Sequence, residues 1–123
     1  MNVYIAAPWA RRYEVPAVAA QVVAAGHTIT SRWHSIWIDT DSDDPIVLAQ
    51  EAVNDLADVA ASSQMLVLNL EKSEGKAVEQ GLALAFGIPI IIIGDIRLNV
   101  FQFLPQVRLV ATVEEALALV KSE

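Results

Sequence analysis

Three groups of side chains in this 123-residue sequence could do chemistry. The first is Ser73-Glu74-Gly75-Lys76-Ala77-Val78-Glu79-Gln80-Gly81. Gly75 permits a tight turn, after which the amides of a helix N-terminus and the Ser73 hydroxyl could hold an anion. Glu79 then falls beside the apolar stripe of Val78, Leu82 and Ala85, where its carboxylate can project over strand ends and any substrate lying there. Spacing alone favours a first-turn Glu placed for the helix dipole, which is the commoner arrangement.

The second group centres on Asp55. Leu48, Ala52, Asp55 and Val59 recur at spacings of four, three and four, which places them on one helical stripe. An unpaired carboxylate on a buried stripe is expensive, so Asp55 needs a partner or a chemical task. Asp58 falls off that stripe and reads as solvated surface. The third group is Ala7-Pro8-Trp9-Ala10-Arg11-Arg12. Adjacent arginines at the carboxyl end of a strand suit a phosphate or carboxylate, and Trp9 offers a face to a base. A solvated basic pair beside a half-buried Trp fits the same residues. No G-x-G-x-x-G or G-K-[ST] follows this strand.

Other groups invite chemistry less. Asp39, Asp41, Asp43 and Asp44 lack the spacing and glycine of an EF-hand loop, so no metal is expected and Asp44 reads as a helix cap. His27 reads as a strand-edge residue. His34, between Trp33 and Trp37, belongs either to a loop closing over a base or to a small satellite core.

These groups need a scaffold, and the hydrophobic pattern supplies one. Val3–Ala7, Thr28–Thr30, Met65–Leu70, Ile90–Ile93 and Val107–Ala111 read as strands. Helices are expected over Val15–Ala25, stopped by Gly26, and from Asp44-Pro45 to about Ala61. Two more follow over Ser73–Phe86, stopped by Gly87, and over Val113–Val120, capped by Thr112. Four consecutive isoleucines have no solvent face and belong inside a parallel sheet covered on both sides. Alternating strands and helices predict a single α/β domain, a doubly wound flavodoxin- or Rossmann-like sheet of about five parallel strands. Ligands of such sheets bind beyond the carboxyl ends of the strands, where all three groups fall.

Composition narrows the partners. Eight Lys+Arg against fifteen Asp+Glu leave a net charge of −7, and 54% of residues are hydrophobic. That balance argues against a nucleic-acid polymer, whose binding rests on clustered Lys and Arg, but allows one small anion held locally. No stretch approaches a membrane span, and the N-terminus has no signal-peptide pattern, so a cytoplasmic protein is expected. Cysteine is absent, which removes disulfides and thiolate nucleophiles.

Several of these residues form a recognisable set: Val3-Tyr4-Ile5-Ala6-Ala7-Pro8, Asn54-Asp55-Leu56, Ser73-x-Gly75-x-x-x-Glu79-x-Gly81-x-Ala83-x-Ala85, and Gly87-Ile88-Pro89-Ile90. With this set the chain resembles, over nearly its whole length, the nucleoside 2-deoxyribosyltransferase family and its 2′-deoxynucleoside 5′-phosphate N-glycosidase relatives. Gly26–Trp33 and Asn99–Pro105 resemble small, often phage-borne members. The resemblance implies cleavage of an N-glycosidic bond without a cofactor. Glu79 would be the nucleophile, Asp55 the proton donor or sugar contact, and Tyr4 a wall of the sugar site orienting the nucleophile. Ser73, Gly75, Arg11 and Arg12 would hold the 5′ end, and Trp9 or the Trp33–Trp37 loop the base. It further implies a homodimer or larger homo-oligomer, with Asn99–Gln102 of one subunit reaching its neighbour's site.

Departures are informative. Ala7 stands where Gly is frequent, Ile88 where Lys is usual, and Ser63 or Gln64 where an Asp is common. Ser73 replaces the Asp of transferases acting on free nucleosides, as in the nucleotide hydrolases, which leans towards a 5′-phosphate. A non-catalytic nucleotide-binding module on the same fold is the alternative.

Overall fold

The computed structural model describes residues 1–36 and 43–120. Trp37, Asp39 and Asp41 lie outside the described residues. Strands β1 (Asn2–Ala6), β2 (Thr28–Ile29), β3 (Gln64–Leu68), β4 (Ile90–Ile93) and β5 (Val107–Val110) form one sheet in the order β2-β1-β3-β4-β5. Every pairing is parallel. The doubly wound α/β expectation is met, with each strand within two residues of its predicted bounds.

Helices α1 (Val15–Ala24), α2 (Trp33–Ile36), α3 (Pro45–Ala60), α4 (Glu74–Ala85) and α5 (Val113–Leu119) connect and flank the strands. The expected punctuation operates. Asp44 Oδ1 accepts from the Ile46 amide at 2.9 Å ahead of Pro45, and Thr112 Oγ1 accepts from the Glu115 amide at 3.1 Å. Gly26 (φ 95°) and Gly87 (φ 70°) take the left-handed conformation that ends α1 and α4. Two 3-10 turns, Trp9–Glu14 and Val100–Phe103, and the short α2 stand where loops were expected.

β3 and β4 are buried at every residue, as an all-apolar central strand requires. The connection from β1 runs to β2 on one side, whereas those from β2 to β5 run the other way. Right-handed crossovers therefore put α1 on the face opposite α3 and α4. The order reverses between β1 and β3, and the crevice beyond their carboxyl ends is where such sheets receive ligands. Among the described residues, no helix is long and apolar enough to cross a membrane.

Candidate active site

Tyr4 comes to the crevice from β1, Asp55 from α3, and Glu79 from α4. Strand alternation turns Tyr4 and Ala6 to the face opposite Val3 and Ile5, and Tyr4 is fully buried with its hydroxyl donating a hydrogen bond to Glu79 Oε2. Tyr4 thus meets Glu79 and is not among the residues that line the cavity beside it. The orienting contact itself is present.

In front of Glu79 opens a cavity of about 200 Å³. Glu79, Asp55 and Glu51 line it from the helices, Trp9 and Trp33 from the loops after β1 and β2, and Ser73 and Lys76 from the first turn of α4. Ala7 and Gly75 complete the wall without side chains that would fill it.

The electrostatics are unusual for three acidic groups. Burial pushes the Glu79 carboxyl up to about 8, with Asp55 adding to the rise and the Tyr4 hydrogen bond opposing it. Burial, then Asp58 and Glu51, push Asp55 up to about 6, against a lowering by Arg32. Burial and the Glu79 charge drive the Tyr4 phenol far above its ordinary range, so it stays a donor. Asp55 Oδ1 is buried and, among the described residues, has no hydrogen-bond partner. An orphaned acceptor beside a second protonatable carboxyl suits a group that exchanges a proton with a ligand.

The α3 stripe needs correction. Leu48 and Ala52 are exposed, and the helix buries Asp58 and Val59. Asp58, expected on the surface, is 7% exposed because Arg32 reaches it from the loop after β2. Its carboxylate accepts from the Arg32 amide and Nε at 3.0 Å each, with Nη2 at 2.9 Å. Glu51 and Asp55, four residues apart, turn to the cavity, and Asp58 lies three residues further on under Arg32.

Around the aromatic mouth, Trp9 and Trp33 have ring centroids 6.2 Å apart at 43°. Trp33 Nε1 donates to the Ile5 carbonyl at 2.9 Å, which fixes its ring. His34 is buried edge-on to Trp33, with Nε2 2.8 Å from Ser31 Oγ. It belongs to the satellite core.

The arginines do not line the cavity. Arg11 pairs with Glu14 on the surface. Arg12 lies over the Trp9 ring, 4.4 Å from its centroid, and donates to the Trp9 carbonyl at 2.9 Å. It packs against the aromatic wall. Gly75 is also corrected: it is helical, without a positive φ, and the chain turns at the extended Ser73 instead.

Asn99 caps the Val100–Phe103 turn, its Oδ1 accepting from the Phe101 and Gln102 amides at 3.0 and 3.3 Å. Gln102 is 1% exposed. Its amide bonds Asn69 at 3.0 and 2.9 Å, Gln80 at 2.9 Å and the Leu98 N–H at 2.7 Å. With its amide engaged inside its own chain, Gln102 ties the Val100–Phe103 turn to Asn69 and to α4. Asn69, just after β3, anchors this tie, and a Cβ on Gly94, just after β4, would lie 2.9 Å from the Asn69 carbonyl oxygen, so the close approach requires glycine there.

Sequence reasoning missed Lys76, Glu51 and Asp58. Lys76 lies three residues from both Ser73 and Glu79, and Glu51 four before Asp55, so helical spacing was the available signal.

No family model and no curated protein sequence matches the chain. Solved structures do. A 2-deoxyribosyltransferase from Bacillus psychrosaccharolyticus superposes with a TM-score of 0.73 at 15% identity, covering 98% of this chain and 93% of that one. The Clostridium botulinum CMP N-glycosidase BcmB superposes with a TM-score of 0.64 at 15% identity, covering 96% of each chain. Across nearly its whole length, this chain has the fold of those two enzymes.

Proposed function

We propose that the protein cleaves the N-glycosidic bond of (2′-deoxy)nucleosides or their 5′-monophosphates, by transfer to another base or to water. What carries this reading is one juxtaposition, the Tyr4–Glu79 hydrogen bond and the unpartnered Asp55 oxygen at one small cavity. The fold shared with a deoxyribosyltransferase and a CMP N-glycosidase supports it.

The Tyr4 hydroxyl holds Glu79 Oε2 and leaves Oε1 for the substrate. Both carboxyls are pushed up, Asp55 to about 6 and Glu79 to about 8, so the pair holds a proton near neutral pH. The reactive arrangement has that proton on Asp55 and the charge on Glu79. The Glu79 carboxylate then attacks the anomeric carbon as the bond to the base nitrogen breaks, and Asp55 protonates the departing base. In the second step a water or an incoming base attacks the same carbon. Asp55 takes the released proton, and the ester bond to Glu79 breaks. Trp9 and Trp33 offer the base an apolar wall.

Glu79→Gln and Glu79→Ala should abolish base release, followed by chromatography over a panel of nucleosides and monophosphates with and without an acceptor base. Folding, followed by circular dichroism, should be retained. Base release at the wild-type rate in both variants would overturn the assignment. Nucleotide binding by the wild-type protein without any release would favour a non-catalytic binding module.

A further inference from the structure

Lys76 has no task in this scheme, yet it borders the cavity in which the scheme runs. It is 2% exposed, and its Nζ donates to the Asn69 side-chain oxygen at 3.1 Å. That acceptor is neutral, and among the described residues Lys76 forms no ion pair with a carboxylate. A buried ammonium without a counter-ion is costly, whereas a neutral amine keeps one N–H for Asn69 and gains a lone pair. Burial accordingly lowers the Lys76 pKa to about 8, with Glu71 acting in the opposite direction. Asn69 is itself held, its amide donating to the Gln102 side-chain oxygen at 3.0 Å and to the Ile96 carbonyl at 2.7 Å. The amine therefore has a fixed acceptor beside the cavity.

Lys76 and Glu79 stand three residues apart on α4, so they are neighbours on one helix face, with Cβ atoms about 5–6 Å apart. After transfer to water, the carbon that Glu79 attacks becomes C1 of a free sugar. A free aldose is a hemiacetal in equilibrium with its open-chain aldehyde, and the aldehyde carbon is that same C1. A desolvated lysine amine within reach of an aldehyde is a nucleophile that forms an imine. The Asp55–Glu79 pair, which holds a proton near neutral pH, lines the same cavity and can supply the acid that imine formation needs.

We infer that Lys76 is a covalent capture site for the aldehyde form of the sugar set free at Glu79, holding it as a Schiff base at C1. The inference rests on the glycosidic reading for the identity of the carbonyl, and goes beyond it by giving the cavity a second nucleophile. The Nζ lone pair adds to C1, and an amine proton moves to the carbonyl oxygen, which gives a carbinolamine. A proton from Asp55 or Glu79 then carries that oxygen away as water. What remains is a protonated C=N bond, its positive charge balanced by the carboxylate just formed. Water reverses the sequence, so capture delays departure of the sugar and not of the base.

The test supplies the sugar directly, so it does not depend on bond cleavage. Wild-type protein is incubated with 2-deoxyribose and cyanoborohydride, which reduces an imine to a stable secondary amine, and the labelled lysine is located by peptide mass spectrometry. Exposed Lys72, four residues earlier, is the internal reference. Labelling of Lys76 should exceed that of Lys72 by at least about tenfold, because a pKa of about 8 leaves about a hundredfold more free amine near neutral pH than an ordinary lysine has. Lys76→Met, whose apolar chain suits a buried position, should lose that label. Should this variant fail to fold, the ratio of Lys76 to Lys72 labelling in the wild-type protein decides alone. Lys76 labelled no more than Lys72, or total incorporation unchanged in folded Lys76→Met, overturns the inference. Base release by the wild-type enzyme with no adduct at Lys76 would sink the inference and leave the glycosidic reading intact. An adduct at Lys76 in a protein that releases no base would sink the glycosidic reading and leave the amine site standing.

Discussion

Asp55 and Asp58 lie one turn apart on α3 and are treated in opposite ways. Asp58 is sealed under Arg32, with both oxygens in hydrogen bonds from the guanidinium and the Arg32 amide. Asp55 faces the cavity with a buried oxygen that nothing among the described residues satisfies, and its carboxyl is pushed up to about 6. The same side chain serves at one position as a tie between α3 and the loop after β2. At the other it is an acid held near its protonation threshold. The difference lies in the partner, not in the helix. Arg32 completes one carboxylate and leaves an oxygen of its neighbour unpartnered among the described residues.

Exchanging the two positions' chemistry should give opposite phenotypes. Asp55→Asn removes the proton donor and should lower base release by about 10²–10⁴-fold, the usual worth of a positioned acid. It should leave the melting temperature unchanged or higher, because a desolvated acid is replaced by a neutral amide. Asp58→Ala should lower the melting temperature by about 5 °C or more, since the loop carrying Trp33 loses its anchor. Its activity loss should be the smaller of the two. A variant pair with the reverse pattern, read by thermal melts beside initial rates, would break the distinction.

A subtler effect separates Glu79 from a structural carboxylate. Its folded pKa of about 8 lies above the unfolded value near 4.5. The protonated form is therefore favoured by folding, and its contribution is complete below about pH 4.5 and lost as pH rises through about 8. Wild-type stability should fall over that window, with Asp55 adding a loss between about 3.8 and about 6. Glu79→Gln should flatten the upper part of the curve and be more stable at pH 8 by about 1–3 kcal/mol. Denaturant titrations at pH 5 and pH 8 measure it, and parallel curves for the two proteins would contradict a buried, ligand-facing Glu79.

Most of the scaffold was legible because its signals are local. Gly26 and Gly87 end helices, Asp44-Pro45 and Thr112 start them, and the isoleucine run can only be a central strand. The grouping of Asp55, Ser73 and Glu79 around one cavity, with Tyr4 bonded to Glu79, was also legible, through the motif and its resemblance. Asp58 was not, because its burial depends on Arg32, 26 residues away, and a carboxylate next to a stripe looks solvated until its partner is placed. Lys76 was hidden for a similar reason, since a lysine in a first helical turn is ordinarily exposed. Gln102 carries a side chain that suits ligand contact as well as internal bonding, and only the position of Asn69 and Gln80 decides between them.

The central claim is that Glu79 forms a covalent bond to the sugar. Mass spectrometry of wild-type protein quenched in acid during turnover tests it most directly. The predicted result is a mass increase equal to one glycosyl or phosphoglycosyl group, confined to the proteolytic peptide containing Glu79 and missing from Glu79→Gln. Rapid turnover with no adduct at any quench time, and a product of inverted anomeric configuration, would contradict it.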